Sequence, residues 1–268
     1  GTKKAVLVLD DGTEYNLTDS CALNLIEGDT EIKGEGTSIK YSRKKTNSGT
    51  TNEMNYNMLK VPRGGEYYVV LSDSTKIWLN SETVIRYPVE FIGKERIVYL
   101  EGEAFFEVTK SQKPFKVITG EQTVEVLGTS FNISSYREDS LTFTTLIEGK
   151  VNVYLEKDPT IRQILLPNHQ SYFYKNNKMI SVRKVDPFPY IAWKEGRFIF
   201  ENKPLIEIMN TLSRWYDVNF VIENEDIGKY RFTGDVKRYE NLDGILTLIK
   251  ETNEINYEFV NDRTVIIK

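Results

Sequence analysis

Short apolar or alternating runs, each closed by a turn signal, fill the chain from Lys3 to about Val185. Alternation with a period of two is typical of strands, and this stretch has no sustained 3.6-residue period. Four runs show the pattern: Ala5–Leu9 before Asp10-Asp-Gly12, Tyr67–Leu71 before Ser72-Asp-Ser74, Arg96–Leu100 before Glu101-Gly102, and Thr142–Ile147 before Glu148-Gly149. Each run predicts a strand followed by a turn. We therefore predict one large all-β domain over residues 1–186.

Two of the predicted hairpins resemble each other. Val6–Leu17 and Tyr68–Leu79 are identical at five of twelve aligned positions, which include Asp11/Asp73 and Thr13/Thr75. A repeated hairpin indicates a solenoid-like stack of strands, but any two hairpins need apolar alternation around an Asp-containing turn. A solenoid-like sheet and a β-sandwich therefore both remain open.

One segment inside this domain is almost wholly polar. Residues 40–57 (Lys40 to Asn57) carry little that could be buried, and we predict a long mobile loop there. The triplet Arg43-Lys44-Lys45 is interpreted as a solvated charge run.

The periodicity changes after Pro187 and Pro189, which mark residues 187–196 as a linker. Beyond it, apolar residues at helical spacing predict one helix, and Asn241 is placed to cap a second. Strands with period two surround the helices. Residues 197–268 are thus predicted to form a small α+β domain of order β-α-β-β-α-β-β, with the helices on one face. The fold class is mainly β plus α+β.

Composition excludes several classes of partner and cofactor. The 35 Lys and Arg against 39 Asp and Glu give a net charge of -4, which offers no cationic surface to nucleic acid. One cysteine, Cys21, and one histidine, His169, allow neither an internal disulfide nor a zinc cluster. No cofactor and no metal site is predicted. The longest apolar runs span five residues, whereas a membrane helix needs about 20.

Two patterns admit a carbohydrate-binding or carbohydrate-processing function as an alternative. Glu101, Glu103 and Glu107 could supply the paired carboxylates of a glycosidase, although their positions favour solvated side chains. The three tryptophans could stack on sugar rings, but their apolar settings favour a place in the core. These are Trp78, Trp193 and Trp215.

Several motifs in order resemble the periplasmic region of FecR-type anti-sigma factors, in the form common in Bacteroidetes. They are Pro62-Arg-Gly-Gly-Glu-Tyr67, Leu71-Ser-Asp-Ser-Thr-Lys-Ile-Trp-Leu-Asn80, Arg86-Tyr-Pro88, Gly102-Glu-Ala-Phe-Phe-Glu-Val108, Val126-Leu-Gly-Thr-Ser-Phe-Asn132 and Ala192-Trp-Lys-Glu-Gly-Arg-Phe198. Leu212-Ser-Arg-Trp-Tyr-Asp217 and Arg231-Phe-Thr-Gly234 are similar to the small domain at the N-termini of secretins and TonB-dependent transducers. Ser74 departs from the family, which usually has Gly at this turn position.

The resemblance implies a signalling role rather than an enzyme. Such a protein is a single-pass inner-membrane protein whose periplasmic region binds the signalling domain of an outer-membrane TonB-dependent transducer. Nutrient uptake is then relayed to a sigma factor, which a cytoplasmic segment absent from this chain would hold. The transmembrane helix would likewise lie outside this chain.

Strand edges in the small domain suit the addition of a partner strand. We place the expected contact within residues 217–223 or the terminal strand of residues 264–268, both of which carry polar residues on one face. An ordinary covered strand is the alternative interpretation of either segment and remains open. The partner-binding candidates are Val218, Asn219, Phe220, Val221, Ile222, Val265, Ile266 and Ile267.

One peptide bond is a candidate for chemistry. Gly128-Thr129 corresponds to a step at which some members of the resembled family are thought to cleave themselves, through attack of the threonine hydroxyl on the preceding carbonyl. The alternative, which we favour, is a turn or β-bulge in which Gly128 has a positive φ and Thr129 pairs in a strand.

Overall fold

The computed structural model describes residues 1–18, 22–43, 54–252 and 255–268. The chain divides into two compact units, one of residues 2–187 and one of residues 188–268 together with Gly1. Cys21 lies outside the described residues. Within them, no helix has the length and apolarity needed to cross a membrane.

The large unit contains strands throughout. They are β1 (Thr2–Val8), β2 (Glu14–Thr18), β3 (Ala22–Glu27), β4 (Thr30–Glu35), β5 (Ser38–Arg43), β6 (Tyr56–Val61), β7 (Gly65–Val70), β8 (Lys76–Leu79), β9 (Thr83–Pro88), β10 (Arg96–Glu107), β11 (Phe115–Thr119), β12 (Gln122–Val126), β13 (Ser130–Ser135), β14 (Leu141–Glu148), β15 (Val151–Leu155), β16 (Asp158–Leu165), β17 (His169–Tyr174) and β18 (Met179–Lys184).

These strands pair into two sheets that share β10. The first sheet has the order β2-β1-β6-β9-β10-β11-β12-β15-β16. The second has the order β3-β4-β5-β7-β8-β10-β13-β14-β17-β18. β1 also links them, because its residues 2–3 pair with β7 of the second sheet and its residues 4–8 pair in the first. Each sheet advances broadly in chain order, as in a solenoid, while one core fills the space between the sheets, as in a sandwich. The predicted mainly-β class is confirmed.

Contacts across the core join the two sheets. Phe106 of the second sheet meets Phe115 of the first with ring centroids 6.3 Å apart. Towards the other end, the hydroxyls of Tyr41 and Tyr87 lie 2.9 Å apart, and burial raises the pKa of both phenols. The Asn57 side-chain amide donates to the Tyr41 hydroxyl at 3.1 Å, so both of these buried side chains have a hydrogen-bond partner.

The two similar hairpins close with the same turn. In the first, the Thr13 N–H donates to Asp11 Oδ1 at 2.8 Å, and Gly12 has a φ of 86°. In the second, the Thr75 N–H donates to Asp73 Oδ1 at 2.9 Å, and Ser74 has a φ of 67°. Ser74 therefore adopts the left-handed conformation that glycine favours, and the departure from the family pattern leaves the turn unchanged.

The second turn carries an additional buried ion pair. Arg96 Nη1 donates to Asp73 Oδ2 at 2.6 Å and to the Thr109 carbonyl at 3.0 Å. Arg96 Nε and Nη2 both donate to the Lys113 carbonyl, so all three nitrogens of the buried guanidinium form hydrogen bonds.

The turn predicted at Glu101-Gly102 is wrong, because β10 runs without interruption from Arg96 to Glu107. Residues 96–101 pair in the first sheet and residues 102–107 in the second. Gly102 has a φ of 108° at the crossing, and a Cβ there would lie 2.7 Å from the Thr83 Cα. The glycine signals a change of sheet, which requires the same backbone freedom as a turn.

The predicted loop over residues 40–57 was too long at both ends. Residues 40–43 belong to β5 and residues 56–57 to β6. Tyr41 and Asn57 are buried, and the hydrogen bond between them gives each polar side chain a partner that local sequence does not reveal. Arg43 pairs with Glu90 at 3.0 Å. Residues 44–53, including Lys44 and Lys45, lie outside the described residues.

The second unit begins with a short helix and a 3₁₀ turn where a linker was expected. Its elements are α1 (Phe188–Ile191), the 3₁₀ turn Ala192–Glu195, β19 (Arg197–Pro204), α2 (Leu205–Tyr216), β20 (Asn219–Ile222), a 3₁₀ turn Ile227–Lys229, β21 (Arg231–Lys237), α3 (Leu242–Lys250), β22 (Tyr257–Asn261) and β23 (Thr264–Ile267). From β19 onwards, the predicted order β-α-β-β-α-β-β is confirmed. Asn241 caps α3 as predicted, accepting from the Gly244 N–H at 2.7 Å.

A buried arginine organises the aromatic residues of this unit. The Arg238 guanidinium carbon lies 3.6 Å from the centroid of Trp215, and Nη1 donates to the Trp193 carbonyl at 3.2 Å. The Trp215 indole N–H donates in return to the Arg238 carbonyl at 2.6 Å. These contacts connect the start of the unit, helix α2 and the residue that follows β21.

Gly102→Ala tests the crossing of β10, with Gly93→Ala as the matched control. Gly93 has a φ of 98°, but a Cβ at this position would meet nothing within 4 Å, so its variant incurs backbone strain alone. The Gly102 variant incurs similar strain and also a steric clash with Thr83. We expect it to lose about 1–3 kcal/mol more free energy of unfolding than the control. Urea denaturation followed by near-UV circular dichroism measures both, and equal losses would contradict the role of the crossing.

Candidate protein-interaction site

The expected partner-binding residues lie in a three-stranded sheet of the small unit, with the order β20-β23-β22. β23 is the central strand, parallel to β20 and antiparallel to β22. Val265 and Ile267 are buried and face the helices. Strand addition at Val265, Ile266 and Ile267 was a wrong prediction, because both edges of β23 are already paired; the order of strands could not be read from the sequence.

β20 forms one edge of this sheet. Phe220 and Ile222 pack against the helical core, while Val221 points to the opposite face and is 49% exposed. The Asn219 N–H donates to the carbonyl of Arg263, just before β23, at 2.8 Å, and the Glu223 N–H donates to the Ile267 carbonyl at 3.0 Å. The alternation of a parallel ladder therefore directs the N–H groups of Phe220 and Ile222 to the other edge. Val218 is buried.

β22 forms the second edge, which the sequence-based prediction missed. Phe259 is 43% exposed and Val260 is 54% exposed, and Val260 lies where the register with β23 shifts, between Phe259 and Asn261. Asn256 and Lys268 exchange both main-chain hydrogen bonds, at 2.9 and 2.8 Å. By alternation, the main-chain groups of Tyr257 and Phe259 point away from β23. In a regular strand adjacent residues point to opposite faces, so two adjacent apolar residues cannot both face one core. The adjacency of Phe259 and Val260 was therefore the available sequence signal for an exposed strand.

Electrostatic contacts fix the ends of the sheet. Lys268 pairs with Glu258 across β23 and β22. Their hydrogen bond raises the pKa of Lys268 and lowers the pKa of Glu258. Arg263 Nη2 lies 3.7 Å from Asp217 Oδ2. Glu258 is the charged residue of β22, and it is paired, while its neighbours Phe259 and Val260 are exposed apolar residues.

Helices α2 and α3 support the sheet from one side. Their buried residues, among them Leu212 and Leu246, pack with Val265 and Ile267 in a single core. Tyr216 is held nearby by hydrogen bonds from its hydroxyl to the Glu240 and Arg238 carbonyls, at 2.6 and 3.3 Å. Burial raises the pKa of Tyr216 to about 12. The sheet is therefore a rigid platform whose edges present main-chain donors and acceptors.

The Gly128-Thr129 step is in the large unit, between β12 and β13. Gly128 does not have a positive φ; its requirement is space, because a Cβ would lie 2.7 Å from the Lys110 Cα. The favoured alternative was thus wrong about φ, and Thr129 precedes β13 rather than pairing within it. The register shift between β13 and β14 lies further on, between Ser130 and Phe131. Thr129 is buried, and its hydroxyl donates to the Lys150 carbonyl at 3.1 Å.

The three glutamates do not form a catalytic pair. Glu103 accepts from the side-chain amides of Asn80 and Asn132, at 2.7 and 2.9 Å, and so differs from the solvated side chain that was expected. Glu107 lies 3.6 Å from Lys76, and Glu101 is exposed on the other side of Gly102. Each carboxylate therefore has a structural or solvated setting.

The tryptophans are not gathered into a platform. Trp78 belongs to the large unit, where it packs between Tyr68 and Phe105 with ring centroids 4.7 and 5.7 Å away. Trp193 and Trp215 belong to the small unit, are buried, and contact Arg238. Trp193 and Trp215 agree with the core interpretation, whereas Trp78 does not: it is half-buried and lies on the face of β8 opposite the core residues Ile77 and Leu79.

Comparisons with known proteins identify the class of protein to which this fold belongs. Residues 58–152 match the family described as FecR protein, and residues 197–267 match FecR, C-terminal. Among curated proteins, none matches the chain. Two crystal structures of a protein assigned as an anti-sigma factor from Parabacteroides distasonis ATCC 8503, at 1.65 and 2.50 Å resolution, are similar.

Each of these structures shares 31% sequence identity with the chain at a TM-score of 0.72. The alignment covers 79% of this chain and 98% of the Parabacteroides chain. The chain belongs to the FecR family of anti-sigma factors. The resemblance carried by the sequence motifs is confirmed, and the chain is a signalling module of that family.

The geometry at Thr129 leads to a prediction about the integrity of the chain. Cleavage requires the hydroxyl oxygen to attack the Gly128 carbonyl carbon while a base removes the proton. In the structure the hydroxyl proton is directed to the Lys150 carbonyl, which is not a base. We expect wild-type protein to keep its full mass on long incubation at neutral pH, as measured by intact-mass spectrometry. Fragments split between residues 128 and 129, present in wild type and absent in Thr129→Val, would contradict this expectation.

Proposed function

We propose that this chain is the periplasmic region of a single-pass inner-membrane anti-sigma factor and that it binds the signalling domain of an outer-membrane TonB-dependent transducer. Binding relays nutrient uptake to release of a sigma factor held on the cytoplasmic side. The single observation that supports the proposal is that the FecR C-terminal region, residues 197–267, contains a small sheet with two strand edges.

The mode of binding follows from the chemistry of those edges. An added strand gains main-chain hydrogen bonds along its length, and side chains on alternate faces give selectivity. β22 offers outward main-chain groups at Tyr257 and Phe259 together with the exposed apolar side chains of Phe259 and Val260. β20, the edge expected from the sequence, offers Phe220 and Ile222 main-chain groups beside an exposed Val221.

Of the two edges, β22 has the stronger physical case. Its side chains are exposed along most of the strand, so a partner gains apolar burial as well as hydrogen bonds. Phe259 and Val260 would both lose contact with solvent when the partner strand is added. At β20 only alternate residues are exposed. We therefore assign the transducer contact to β22 and treat β20 as the competing edge.

Proline substitution tests this assignment without breaking the native ladder. Phe259→Pro removes an outward N–H, and Phe259→Ala removes the ring but keeps the N–H. If the partner adds a strand to β22, both variants weaken binding of the cognate signalling domain, and the proline variant weakens it further, by about tenfold or more. Isothermal titration calorimetry with the whole chain measures these affinities.

Val221→Lys is the matched control on the opposite edge. It adds a charge at an exposed position of β20 and should leave affinity and unfolding midpoint unchanged. A loss confined to this variant would move the contact to β20. Unchanged affinity in every folded variant, including Phe259→Pro, would contradict strand addition at this sheet.

A further inference from the structure

A groove in the large unit lies beside the Gly128-Thr129 step, apart from the sheet edges of the small unit. Its volume is about 400 Å³, and its lining comes from the end of β12, the following bend, β15 and β16. The lining residues used below are Leu127, Gly128, Thr129, Lys150, Arg162 and Ile164. We call this the Gly-Thr groove.

The rim of the Gly-Thr groove is apolar to an unusual degree for a surface. Leu127 is 56% exposed and Ile164 is 53% exposed, and both line the same concavity. Single exposed aliphatic residues are ordinary, but two that flank one groove mark a binding surface. A ligand that fills the space between them gains apolar burial from both sides.

Two cations lie in the same groove without acidic partners. Lys150 and Arg162 are exposed, and neither forms an ion pair with any residue that the structure describes. The groove also contains Glu125, but this carboxylate lies 3.6 Å from the Lys116 ammonium and accepts from the Tyr154 hydroxyl at 3.4 Å. The remaining charge of the groove is positive, which complements a ligand with carboxylates.

The wall of the groove is held by main-chain contacts. The Ser111 N–H donates to the Leu127 carbonyl at 2.8 Å, and the Val108 N–H donates to the Thr129 carbonyl at 3.0 Å. The Thr129 hydroxyl donates to the Lys150 carbonyl, which joins the wall to the start of β15. Because these contacts exist before any ligand binds, little ordering entropy is lost on docking.

We propose that the Gly-Thr groove docks an extended acidic segment of a partner protein. One apolar side chain of that segment lies between Leu127 and Ile164, and flanking carboxylates pair with Lys150 and Arg162. A concave site between strands suits a side chain of a peptide, whereas a bilayer surface meets a convex or flat patch.

Reversing the charges of the groove and of a peptide ligand tests the proposal. The probes are fluorescein-labelled hexapeptides of alternating Glu and Leu, and of alternating Lys and Leu. Fluorescence anisotropy with the whole chain should show saturable binding of the Glu-Leu peptide alone. The double variant Lys150→Glu/Arg162→Glu should lose at least about tenfold in affinity for that peptide and gain affinity for the Lys-Leu peptide. Ile164→Ser should lower the affinity for the Glu-Leu peptide, and the variant should still prefer this peptide to the Lys-Leu peptide.

Lys94→Glu/Lys184→Glu is the control, since it makes the same change of net charge at two exposed lysines outside the groove. The proposal expects this variant to bind like wild type. An equal loss of affinity for the Glu-Leu peptide in both double variants overturns the proposal. Unchanged affinity in both, when near-UV circular dichroism shows a native fold, overturns it as well. So does sedimentation with phosphatidylglycerol vesicles in the absence of peptide binding, which would assign the groove to a membrane surface.

Discussion

The large unit depends on a long strand, β10, that lies near the middle of both sheets. β10 contributes its first half to one sheet and its second half to the other, and Gly102 is the point of exchange. Because the side chains of Val98 and Phe106 both enter the core from this strand, the crossing fixes the sheets face to face. Strands on either side of β10 then add in chain order, which gives a sandwich that grows like a solenoid.

Much of this architecture follows from local pattern, because alternation and turn chemistry act within a few residues. The Asp-centred turns of both hairpins and the Asn241 cap were predictable for that reason. The crossing at Gly102 was not, because a glycine with positive φ has the same signature in a turn and in a strand that changes sheet. Deciding between them requires the Thr83 contact, which is distant in sequence.

The candidate site shows more clearly that local sequence pattern does not predict long-range contacts. Apolar alternation marked Val265 and Ile267 as strand residues but could not say that their strand is central. Strand order is set by long-range packing, here of α2 and α3 against one face, and it decides which main-chain groups remain available. The exposed Phe259 and Val260 are adjacent in sequence, and that adjacency is the one local sign that β22 lies at an edge.

The two surfaces of the chain differ in what a partner must supply. An edge such as β22 accepts any extended segment through its main chain, so its selectivity rests on a few side chains such as Phe259. The Gly-Thr groove selects through charge and one apolar contact, and its binding should weaken as salt rises. Because the Gly128 backbone approaches Lys110 closely, the groove keeps its shape by the same tight packing that constrains the Gly-Thr step. Structural demand alone therefore accounts for a glycine at this position, and the chemistry of Thr129 must be judged separately from it.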